Sequence, residues 1–86
     1  MNSKQFVLQT AQQLNAQGQK MMAYDLANQL NANGIKTSYG STYAGARGTY
    51  TLIDATYKWL DNQGLTNDAH LVAIAFTKPD GTYAYD

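Results

Sequence analysis

The chain has 86 residues, no cysteine, and six basic against six acidic side chains, for a formal net charge of zero. That length holds one domain with a modest core, and the missing thiol excludes disulfides, thiolate metal sites and cysteine nucleophiles. The longest apolar run, Leu71 to Phe76, is far shorter than the ~20 residues a membrane helix needs. The start, Met1-Asn2-Ser3-Lys4-Gln5, leads into an amphipathic pattern without an apolar signal core, so a cytoplasmic location is expected.

The first helix is expected over about 3–17. Phe6, Val7, Ala11 and Leu14 share one face, Asn2 or Ser3 can cap the start, and Gly18 can end it in the left-handed conformation. A second helix is expected over about 22–33, with Met22, Leu26 and Leu30 repeating every fourth residue beside Ala23 and Ala27. A third is expected over about 47–63. Tyr50, Ile53, Tyr57 and Leu60 make one stripe and Leu52, Thr56 and Trp59 its neighbour, a wide apolar face that suits a central helix. Trp59 is expected to be the main core aromatic.

The period then changes. From His70 to Thr77 apolar side chains run on both parities, which reads as a strand over 70–77. Lys78-Pro79-Asp80-Gly81 is a strong turn, and Thr82 to Asp86 alternates again. Two strands around such a turn make a β-hairpin, which needs the helices to lie against. The expected fold class is α+β: a three-helix helix-turn-helix core followed by a C-terminal hairpin, winged-helix-like, in one domain over 1–86.

Charge is uneven along the chain. Residues 1–50 carry Lys4, Lys20, Lys36 and Arg47 against Asp25 alone, while residues 51–86 carry Lys58 and Lys78 against Asp54, Asp61, Asp68, Asp80 and Asp86. Neutrality overall counts against nucleic-acid binding; a basic first half points to a polar or anionic partner there. The segment between the second and third helices, Gly34 to Gly48, holds four glycines, two tyrosines and two cations and no acid. A connection this long in a small domain is often functional. Glycine amides, hydroxyls, lysine and arginine are the groups that contact phosphate oxygens, and Tyr39 and Tyr43 suit base stacking.

Leu26-Ala27, Leu30-Asn31, Gly34-Ile35, Thr37, Gly40 and Tyr43 together resemble the helix-turn-helix segment of the recombinase domain in large serine recombinases. Tyrosine stands at Tyr43 where that family usually has tryptophan, Leu52-Ile53 corresponds to its later Ile-Leu pair, and the intervening loop is longer here. The resemblance implies binding of double-stranded DNA, with the hairpin as a wing. It implies no recombination, because the chain is too short to hold that family's serine nucleophile domain.

On that reading the third helix enters the major groove by its first turn. Arg47 reads guanine or holds phosphate, and Thr49 and Thr51 contact phosphate or a thymine methyl. Lys36, Thr37, Ser38 and Tyr39 position the backbone with Tyr43 beside them, and Lys58 and Lys78 supply further cations. Asp54 and Asp61 oppose such docking beyond the first turn. The competing reading is a non-enzymatic protein-interaction module or homodimer that uses exposed tyrosines, chiefly Tyr83 and Tyr85 on an edge strand. An enzyme is not expected: His70 is the only histidine, and no cysteine or glutamate exists to complete a metal site or triad. The glycines at 40, 45 and 48 lack the lysine-serine pair of a nucleotide loop. No cofactor is expected.

Overall fold

The computed structural model describes residues 2–43 and 45–84, with the backbone alone described for 45–47. It is a small α+β fold of four helices and a short parallel sheet: α1 Ser3–Gln17, β1 Met21–Met22, α2 Ala23–Ala32, α3 Gly45–Asn62, α4 Thr66–Ala75 and β2 Phe76–Thr77.

Local chemistry sets the ends of α1. Asn2 accepts from the Gln5 N–H at 2.8 Å while the Gln5 side chain accepts from the Asn2 N–H at 3.3 Å, a reciprocal pair that satisfies two otherwise orphaned donors. Gly18 stops the helix at φ 66, where any side chain would be strained. Val7, Ala11 and Leu14 turn inward from α1, and Ala23, Leu26, Ala27 and Leu30 from α2. On α3, Leu52, Ile53, Thr56 and Leu60 are buried. The Thr56 hydroxyl donates back to the Leu52 carbonyl at 2.7 Å, so this buried polar group has a partner.

Residues 66–75, read in part as a strand, are helical. Ala69, Val72 and Ala75 are buried at a three-residue interval, and α4 packs mainly against α3 and α1. Two of those three positions are alanines, so the inward stripe was weakly marked in the sequence. The strand shrinks to Phe76–Thr77, which pairs in parallel with β1, Met21 opposite Phe76 and Met22 opposite Thr77.

The expected return after the turn survives in reduced form. Lys78 N–H donates to the Thr82 carbonyl at 2.8 Å and Ala84 N–H to the Phe76 carbonyl at 2.8 Å, and Thr77 and Tyr83 form one antiparallel bridge. Tyr85 and Asp86 lie outside the described residues. Asp80 braces the turn, accepting from the Thr82 hydroxyl at 2.6 Å and the Thr82 N–H at 3.0 Å. Those two bonds, with a smaller contribution from the Lys78 charge, hold its carboxyl below the ordinary 3.8.

The central aromatic is Phe76, fully buried, whereas Trp59 is half-buried and packs against the core from outside. Phe76 lies on β2, which packs against β1, α2 and α4. Lys20, just before β1, reaches across to α4: its Nζ donates to the Ile74 carbonyl at 2.9 Å and lies 5.1 Å from the centre of the Tyr83 ring. A cation there suits the negative end of the helix.

Candidate functional site

The connection from Asn33 to Tyr43 is not free chain. The Asn31 side chain, at the end of α2, grips the Tyr43 peptide: Nδ2 donates to the Tyr43 carbonyl at 2.9 Å, and Oδ1 accepts from the Tyr43 N–H at 2.8 Å. This fixes the far end of the connection and presses the Tyr43 side chain into the core at 7 % exposure. Its ring lies over Gly48, where an added Cβ would stand 3.9 Å from Tyr43 Cδ1.

Between these anchors a small closed loop forms around Thr37. Thr37 N–H donates to the Ser41 carbonyl at 2.8 Å and Gly40 N–H to the Thr37 carbonyl at 2.9 Å. The Thr37 and Ser41 hydroxyls bond at 2.9 Å, and Thr37 Oγ1 accepts from the N–H groups of Tyr39 and Ser41 at 3.3 Å each. Gly40 closes the turn at φ 79, a conformation glycine adopts without steric cost. The consequence is a projecting Tyr39, 94 % exposed on a hydrogen-bonded base.

The loop forms one wall of a groove of about 530 Å³ whose other walls are the starts of α1 and α3. Ser3 and Lys4 line it from α1, Thr37, Ser38, Tyr39, Ser41 and Tyr43 from the connection, and Gly48, Thr51, Leu52 and Ala55 from α3. The lining has hydroxyls on three sides and one cation, and no carboxylate among the described residues. Ser3 and Lys4 belong to the first turn of α1, and helix N-termini carry partial positive charge. The volume is within the ~300–1,000 Å³ of small-ligand sites.

Of the residues singled out in the sequence, the groove brings together Thr37, Ser38, Tyr39, Tyr43 and Thr51. Lys36 is exposed on the same connection but is not part of the lining. Thr49 is corrected: it is fully buried and offers nothing to a partner, because it faces inward one turn from Ile53. Lys58 is exposed and pairs with Asp54 at 3.0 Å on α3. Lys78 is on the C-terminal turn, 6.0 Å from the Tyr50 ring centre. The side chain of Arg47 and all of Tyr85 lie outside the described residues; the backbone of Arg47 belongs to the first turn of α3.

Ser3, Lys4 and Ser41 were not singled out. The first two come from the other end of the sequence, so only the tertiary fold brings them to the loop. Asn31 carried a signal, its place in the Leu-Asn pair, but nothing local in the sequence pointed to a bond with Tyr43.

Set beside protein-family models, curated proteins and solved structures, the chain matches none of them. The resemblance to the recombinase segment therefore rests on its residues alone. In the structure the turn between α2 and α3 spans residues 33–44, longer than the roughly 3–4 residues of a helix-turn-helix.

Proposed function

We propose that this chain is a non-enzymatic nucleic-acid-binding module that holds a phosphate backbone at the groove between the Thr37 loop and the starts of α1 and α3. The observation that carries this reading is the lining itself: serine and threonine hydroxyls with Lys4 at the N-terminus of α1, and no carboxylate among the described residues. Phosphate oxygens are held by such groups. Lys36, exposed on the same connection, is a further cation, consistent with the basic excess of the first half of the chain. The recombinase-like residues favour DNA as the polymer.

The test is a titration of the labelled protein with mixed-sequence DNA at low salt, followed by amide NMR. Shifts at residues 36–41 and 48–51 that reverse on adding salt support the reading. With two or three cations engaged, affinity should fall about ten- to fortyfold between 50 and 200 mM salt. Unmoved amides at every DNA concentration would overturn it, and Arg47→Ala should weaken binding while leaving the thermal melt in place.

A further inference from the structure

We infer that the preferred ligand of this groove is a nucleic-acid strand with unpaired bases, one of which stacks on Tyr39; the inference rests on the phosphate-binding reading above. Tyr39 is 94 % exposed, although burying a tyrosine ring removes a large apolar area from water. Its presentation is built. The Thr37–Ser41 loop is cross-bonded by its own backbone and hydroxyls, and the Asn31–Tyr43 bonds hold the loop's far end to α2. A ring carried on an ordered loop loses little backbone freedom on binding, which favours stacking. Any base offers a π face once it is unpaired, so such a platform tolerates sequence.

The same geometry disfavours a duplex. Thr51 and Ala55 reach the groove from α3, while the adjoining stripe of that helix carries Asp54, paired with Lys58 at 3.0 Å, and Asp61 two turns beyond Asp54. A helix laid into a major groove brings its flanks close to the phosphates of both strands. Asp54 and Asp61 would then meet like charge. A single strand following the groove would contact the hydroxyls, Lys4 and Tyr39 without laying the length of α3 against phosphate. Bases in a duplex are also stacked on one another and present no face to Tyr39.

The deciding experiment compares fluorescence anisotropy of labelled oligo-thymidylate, oligo-uridylate and a mixed-sequence duplex of equal length at low salt. The strands should bind on the order of tenfold tighter than the duplex. Tyr39→Ala should lower strand affinity about five- to hundredfold and leave duplex affinity unchanged, while Tyr39→Phe, which keeps the ring, restores it. Because the side chain is almost wholly exposed, neither variant should disturb the fold, and the thermal melt checks this. Preference for either the deoxy or the ribo strand is compatible, the latter assigning a 2′-hydroxyl contact to the groove. Duplex binding as tight as strand binding, or Tyr39→Ala equal to the parent, overturns the inference and leaves phosphate binding intact. Absence of binding to all three probes overturns both.

Discussion

The side-chain amide of Asn31 forms a two-way bond with the peptide of Tyr43, donating to its carbonyl at 2.9 Å and accepting from its N–H at 2.8 Å. The geometry imitates one rung of a β-ladder, with a side chain in place of a strand. Asn31→Ala leaves both half-buried peptide groups without protein partners, which should cost about 2 kcal/mol. Urea unfolding measures the loss, and amide exchange at Tyr43 should accelerate more than exchange in α1. Asn31→Asp keeps the acceptor and loses the donor at neutral pH. Its deficit should shrink as the pH falls and the protonated carboxyl regains a donor for the Tyr43 carbonyl. A deficit that grows on acidification would contradict this assignment.

Gly48 is a helical residue with room. Among the described residues, an added methyl would meet the Tyr43 ring at 3.9 Å, an ordinary contact distance. Alanine is favoured over glycine in helix interiors by roughly 0.8–1 kcal/mol. Gly48→Ala should therefore raise the melting temperature by a few degrees, since about 1 kcal/mol shifts a domain of this size by about 4–8 °C. A lower melting temperature would show that the Tyr43 ring cannot yield.

Phe76 and Trp59 provide a contrast in burial. Phe76 is fully enclosed and Trp59 sits at the rim of the core. Phe76→Ala should cost about 3–5 kcal/mol, a large share of the roughly 5–15 kcal/mol a small domain has. Trp59→Leu keeps an apolar contact on α3 and should cost clearly less. Denaturant melts of the two variants give the order directly, and a reversed order would place the core elsewhere.

The C-terminal turn should respond to acid. Asp80 titrates below 3.8 because Thr82 donates to its carboxylate twice. A carboxyl whose folded pKa is depressed contributes above its unfolded pKa, and the contribution disappears as pH falls through the folded value. The effect is local, since the group is exposed. The Thr82 amide resonance should move along the Asp80 titration curve at acid pH, and in Asp80→Ala that movement should be absent.

The elements with strong terminal chemistry were legible in the sequence. Helix α1 runs over the expected 3–17 because Asn2 caps one end and Gly18 breaks the other. Helices α2 and α3 fall within a residue or two of expectation, since Leu26, Leu30, Ile53 and Leu60 mark their inward faces plainly. Helix α4 was hidden because its buried face is built from Ala69, Val72 and Ala75, and Leu65 precedes it without a side-chain cap. A short run that is apolar on every side has no readable period. Of the two-residue strands, β2 is what remains of the strand expected over 70–77, whereas β1 depends on a partner more than fifty positions away and left no local trace. Of the candidate site, the loop hydroxyls and both tyrosines could be read from composition and spacing. The contribution of Ser3 and Lys4 could not, because it is a product of how α1 packs, and Thr49 was misjudged because its polarity concealed an inward position.

The pairing of Met21 with Phe76 also has a bearing on how the chain is born. During synthesis α1, α2 and α3 are all made before Phe76, so until that residue is added their inward faces lack α4 and the buried β2 side chain. The shared core can close only once that late segment is available. The nascent domain should therefore remain open to proteases and chaperones until nearly the whole of it has emerged, and then close in one step.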